Sequence, residues 1–144
     1  MIKIEKFEYS PGEHEAEKAS NSYLMSVIAL MAGLPLPVVN LLATFIFYMS
    51  YRRDTYFVRW HCKQALYSQL SLFFVNSFGV WWTISVIVSG FEAISNGYIA
   101  YMLIVLFLNL AEFIATIYTA IKTRKGLHVK WWFYGELTDL TCKP

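Results

Sequence analysis

Charge is the scarcest ingredient of this sequence. Acidic and basic side chains make up 15% of its 144 residues, where a soluble domain carries about 25%. A formal net charge of +2 gives no electrostatic footprint for nucleic acid, and no basic face alternates with stacking aromatics in a polar segment. Cysteine is nearly as scarce. Cys62 and Cys142 form neither a CxxC nor a Cys/His ligand spacing, and beside basic segments assigned below to the cytoplasm they are expected to stay free thiols. Catalytic signatures are missing too: there is no Gly-rich phosphate loop, no GxSxG and no HExxH. His14, His61 and His128 stand apart, without the Cys, Asp or Glu spacing of a zinc site. No metal, cofactor or catalytic residue is therefore expected, and His61 reads as an interfacial hydrogen-bonding residue. A basic leader is also lacking. Glu13, Glu15 and Glu17 precede the first apolar run and no small-residue cleavage site follows it, so that run is expected to be retained, unlike a signal peptide.

Apolar residues fill the space that charge leaves, at 57% hydrophobic and 18% aromatic. Ala19 to Tyr51 and Gln64 to Phe91 are uncharged, and Ala93 to Ile121 is interrupted only by Glu112. A helix needs about 20 mostly apolar residues to cross a hydrocarbon core of about 30 Å, and each run is long enough. The expected fold is an all-α integral membrane protein with three transmembrane helices, over about 22–50, 58–89 and 98–121. Together these form one membrane domain, 22–125, between a polar N-terminal tail, 1–21, and an amphipathic, aromatic interfacial tail, 126–144. A soluble protein with an unusually apolar core is the other class, and three such runs argue against it.

The first run holds Gly33-Leu-Pro-Leu-Pro37, and proline inside a helix removes a hydrogen bond and clashes with the preceding turn. Two arrangements follow: one kinked span, or a re-entrant pair bent at Pro35-Pro37 with both ends on one side. The half from Asn21 to Gly33 is too short to span alone, which favours the kinked span. Arg52, Arg53, Arg59 and Lys63 crowd the next connection, and Lys122, Arg124 and Lys125 end the third helix, with Gly126 as its C-cap. The positive-inside rule puts loop 51–63 and the C-terminus in the cytoplasm of a multi-pass bacterial inner-membrane protein. The N-terminus is then outside for a kinked span and inside for a re-entrant pair. Tyr48, Tyr51, Tyr56 and Trp60 bracket the basic loop, and Lys130, Trp131, Trp132, Phe133 and Tyr134 mark the tail. They fit either the headgroup level or packing onto the protein itself.

Inside the spans polar residues line up. Tyr98, Tyr101, Val105, Asn109, Glu112, Thr116 and Thr119 share one side of the third helix, and His61, Gln64, Ser68 and Ser71 one side of the second, with Asn76 near its edge. Such stripes should face other helices or water. At 1.5 Å per residue Glu112 sits about 4 Å to the cytoplasmic side of its helix centre, level with about Ser71 to Phe74. His61 and Lys63 lie roughly 20 Å from the second helix's centre, too far to pair with it. Asn40, Asn76 and Asn109 each fall near mid-run, where an inter-helix amide contact is expected. Glu112 has two readings: a proton- or cation-linked site, or a protonated or hydrogen-bonded carboxyl that ties two helices together. The lack of a second intramembrane ionisable partner favours the tie, and Glu112→Gln is expected to fold and accumulate normally.

Phe57-Val-Arg-Trp-His61-Cys-Lys63-Gln64-Ala65-Leu-Tyr-Ser-Gln69 resembles the signature of a family of small bacterial membrane proteins of unknown function. That family is distantly similar to the small four-helix Tic subunit of the chloroplast inner-envelope protein translocon. The matching residues are Phe57, His61, Lys63, Gln64, Ala65 and Gln69. Leu34-Pro35 and Asn40 resemble the family's Pro-x-x-Asn helix start, and Ala120-Ile121-Lys122 with Gly126 its closing segment. Cys62 stands where relatives have Gly, and Trp131-Trp132-Phe133 where they have an aromatic-Pro pair. The resemblance implies a helical membrane domain and, by distant analogy, a translocon-type role. The expected function is a non-enzymatic accessory subunit or assembly factor of a larger inner-membrane complex, with lipid and other membrane subunits as partners. The alternative is a small homo-oligomeric channel or proton-linked transporter using the Glu112 stripe, and a membrane enzyme comes third.

Overall fold

The computed structural model describes residues 2–33, 37–90 and 94–144. In chain order these form β1 (Ile2–Glu5), α1 (Glu13–Gly33), α2 (Pro37–Tyr51), α3 (Tyr56–Val88), α4 (Asn96–Arg124), β2 (His128–Trp131) and α5 (Trp132–Thr141).

The helix boundaries follow local chemistry. After Pro11, Gly12 caps α1: its N–H donates to Glu15 Oε2 at 3.0 Å and its carbonyl accepts from Ala16. Glu13 and Glu15 lie in the first turn, where acidic groups complement the helix dipole. Ser95 caps α4, its Oγ accepting from the Tyr98 N–H at 3.2 Å. At the other end Gly126 takes φ +74°. There the Gly126 N–H bonds the Thr123 carbonyl and the Leu127 N–H the Lys122 carbonyl, a Schellman ending that needs the left-handed residue.

Among the described residues α3 and α4 are the helices long and apolar enough to cross a membrane, with mean hydropathies of 1.6 and 2.0 over their most apolar stretches. Phe74, Phe78, Trp81 and Ile87 on α3, and Leu103 and Phe107 on α4, are exposed. A surface this apolar is expected against lipid, and in water would be an aggregation liability. The two helices are joined by a polar ladder. Thr83 Oγ1 meets Tyr98 Oη at 3.0 Å, Tyr101 Oη donates to the Val75 carbonyl at 2.7 Å, and the Asn76 and Asn109 amides bond reciprocally at 3.0 and 2.7 Å.

The first apolar run differs from the single kinked helix favoured above. It forms two helices packed against each other. Lys18 near the start of α1 pairs with Asp54 just past the end of α2 at 2.7 Å, and its ammonium lies 5.7 Å from the Tyr51 ring centre. Their outer ends therefore meet, as in the re-entrant alternative. The 15 residues of α2 make a rod about 22 Å long, short of the hydrocarbon thickness. Of Pro35-Pro37, where the bend was placed, Pro35 and Leu36 lie outside the described residues. Pro37 opens α2, a position where its missing N–H costs nothing. Asn40 Nδ2 donates to Gln69 Oε1, so α3 runs on roughly 24 Å beyond the level of Pro37, and the α1–α2 pair is about half as deep as the α3–α4 pair.

Neither end of the chain is a loose tail, and the all-α expectation needs one amendment. β1 and β2 form an antiparallel ribbon, Ile2 opposite Trp131 and Glu5 opposite His128. The ribbon and α5 fold over the end of the bundle where α1 and α3 begin and α2 and α4 finish. The core lies beneath them, built from Tyr23, Ala65, Ala120, Val129 and Trp131.

Candidate functional site

The family-like motif opens α3 and turns inward. Phe57, His61 and Gln64 are fully enclosed and Ala65 is 1% exposed. The Trp131 N–H donates to Gln64 Oε1 at 3.0 Å, which fixes the amide's orientation. Gln64 Nε2 then donates to Tyr23 Oη at 2.8 Å and to the Val129 carbonyl at 3.1 Å. With an amide hydrogen on its oxygen, Tyr23 directs its own hydroxyl proton to His61 Nδ1, 2.9 Å away. That nitrogen is therefore the acceptor, so His61 carries its proton on Nε2 and donates to His128 Nδ1 at 3.3 Å. The network ends in Trp131, whose Nε1–H donates to Thr119 Oγ1 at 2.7 Å. One α3 face thus holds α1 and the edge of β2 that β1 leaves free, and Trp131 carries the network on to α4.

The histidines that stand 67 residues apart in sequence meet here, and His61 is the hydrogen-bonding residue expected but fully enclosed, not interfacial. His128 packs against Trp60 at 4.3 Å and Phe7 at 4.8 Å between ring centres. Burial pushes its pKa down to about 4, against the opposing pull of Asp139 and Glu5. Around this centre the motif's polar residues secure α5. Lys63 Nζ donates to the Thr141 carbonyl, Trp60 Nε1 donates to Asp139 Oδ1 at 2.8 Å, and Asp139 also pairs with Lys130. Asp139 raises the Lys130 pKa through that bond, and burial pushes the Cys142 thiol up. Cys62 and Cys142 are both free and buried.

Gly135 lets α5 approach this closely. A Cβ there would collide with Lys130 Cγ and sit 3.2 Å from Gln64 Oε1. Gly135→Ala is therefore expected to destabilise the protein by about 1–3 kcal/mol, read as a lower thermal midpoint in detergent.

Gln69, one turn below the enclosed residues, has a different task. It accepts from Asn40 on α2 and donates to Glu112 Oε1 on α4 at 3.4 Å. Asn40 thus contacts Gln69, while Asn76 and Asn109 contact each other. Beside Glu112 a recess of about 320 Å³ is lined by Ser71, Leu72, Val75 and Leu108 of the helices and by Trp131 to Tyr134 of the C-terminal segment. The aromatic tail divides between the two locations weighed from sequence. Trp131 is 6% exposed and stacks on Tyr23 at 6.3 Å, whereas Trp132 and Phe133 are 67% and 61% exposed.

Sequence reasoning missed Tyr23, Thr119 as a partner of Trp131, the His61–His128 pair, and the Asp139 and Gly135 contacts. None has a local signal, because each partner lies on a different element. Among the described residues no group of three His, Cys, Asp or Glu side chains is placed to hold a metal ion. Chemically the cluster is a closed set of neutral donors and acceptors that locks the ends of the chain onto the bundle.

No curated protein and no solved structure matches the chain. A family profile does, from residue 19 to residue 137, which takes in all of α2, α3, α4 and β2 and most of α1 and α5. The expected kinship with small bacterial helical membrane proteins stands, and nothing in the match relates the chain to a translocon. A membrane protein built on this scaffold, the chain belongs to the magnetosome magnetite crystal formation protein family.

Proposed function

We propose that this chain is a non-enzymatic accessory protein of the magnetosome membrane that supports magnetite crystal formation by organising other membrane subunits. The observation that carries the reading is the family match across residues 19–137. The motif adds support: its polar groups are spent on holding α1, α2, α4, β2 and α5 together. The topology has two crossings, α3 and α4, with α1–α2 dipping in and returning. Pairing of β1 with β2 requires both strands on one side of the membrane, which an even number of crossings satisfies and three would not. Loop 51–63 and both terminal segments then lie on the cytoplasmic side, in accord with the positive-inside rule. A translocation subunit rests on motif resemblance alone, and an oligomeric channel on the Glu112 stripe alone.

The test is complementation. Expressed in a magnetite-forming host that lacks its own family member, the chain is expected to restore crystal size, measured by electron microscopy, and to bring foreign membrane subunits through a mild-detergent pull-down. Normal membrane accumulation with no change in crystals would overturn the proposal.

A further inference from the structure

The Glu112 recess combines features that belong to different solvents. Its walls are apolar, from Leu72, Val75 and Leu108, yet a carboxylate stands at its side. None of the three ion pairs among the described residues includes Glu112; its polar neighbours are neutral, Gln69 at a long 3.4 Å and the Ser68 hydroxyl. A carboxylate beside hydrocarbon is costly unless a cation or strong donor meets it. The rim is open, since Leu108, Ala111, Trp132 and Phe133 are exposed. Trp132 is a side chain of the kind that sits at the headgroup level. The volume of about 320 Å³ falls in the range of small-ligand sites.

A ligand that suits this recess carries a positive head and an apolar body together. A free metal ion would leave the apolar walls unused, and a basic peptide would bring an unsatisfied backbone into hydrocarbon. We propose that the recess between α3, α4 and α5 binds one phospholipid with a primary-ammonium headgroup, its ammonium on Glu112 and an acyl chain along Leu72, Val75 and Leu108. The primary amine matters because its three N–H donors can bond a carboxylate, which a quaternary ammonium cannot do. The site is independent of the magnetosome reading and stands or falls on lipid selectivity alone. It also gives Glu112 a task beyond tying helices, since the bond from Gln69 reaches Oε1 alone.

The experiment is native mass spectrometry of the full chain released from nanodiscs of phosphatidylglycerol doped equally with phosphatidylethanolamine and phosphatidylcholine. One retained phosphatidylethanolamine per protein is expected. Glu112→Gln, which keeps the shape and loses the charge, should lower that retention by about tenfold. Ala111→Leu, which fills the rim without touching the carboxyl, should lower it as well and decides the matter if Glu112→Gln fails to fold. Equal retention of the three lipids by the wild type would overturn the site. Undiminished selectivity in the folded variants would overturn the placement, and equal binding of phosphatidylcholine the primary-ammonium assignment.

Discussion

Gln64→Leu should release the C-terminal segment from the bundle. The leucine fits the volume but supplies none of the three bonds that Gln64 makes, to Tyr23, to the Val129 carbonyl and from the Trp131 N–H. The last two partners belong to β2 and have no other way to be satisfied while they remain buried. Leaving a buried polar group unpaired costs about 1–3 kcal/mol, so two of them with the lost tyrosine bond place the effect at about 3–5 kcal/mol. Because the strain falls on β2, the ribbon and α5 should detach before the helices separate. Limited trypsin digestion in detergent reads this directly, through faster cleavage at Lys125 and Lys130 with α3 and α4 intact. A cleavage rate and thermal midpoint equal to wild type would show that the network does not hold the segment down.

Acid should loosen the same region. His128 in the folded protein takes a proton only near pH 4, whereas its ordinary value is 6.5. Between those values the unfolded segment binds more protons than the folded one, so stability falls as pH falls. The contribution is complete above about pH 6.5 and is lost on the way to about pH 4, a change on the order of 3 kcal/mol. Glu5 and Asp139 are the acidic groups facing this imidazole, and Lys130 opposes them. His61 offers no relief, since its own N–H is already directed at His128. The protection of peptides covering 126–144, with hydrogen exchange corrected for the slower intrinsic rate at low pH, should fall across this window, and His128→Gln should flatten the response. Protection unchanged from pH 7 to 4.5 after that correction would count against a neutral, buried His128.

What could be read from the sequence was what depends on neighbours along the chain. Hydropathy placed α3 and α4 within a few residues, and the basic run before Gly126 marked the Schellman ending. Mid-run position brought out Asn40, Asn76 and Asn109, and each makes an inter-helix amide contact. Asn40 bonds Gln69, away from the Asn76–Asn109 pair, since the middle of a folded run is not the middle of the membrane. The α1–α2 pair was undecided in sequence because its closure rests on Lys18 and Asp54, 36 residues apart. Tyr23, His61 and His128 sit on three elements, and helical periodicity reports which face a residue occupies but not what covers it.

The ribbon has a consequence in time. Its strands are separated by more than 120 residues of chain, and synthesis proceeds at about 5–20 residues per second, so β1 waits on the order of ten seconds for its partner to be made. His61 and Gln64 are made about halfway through that interval and lie without β2 over them until it ends. A copy that stops after α3 presents this polar face, and a copy with β2 in place hides it. Closure of the ribbon therefore separates finished molecules from unfinished ones, giving a membrane protease or chaperone a surface on which to tell them apart.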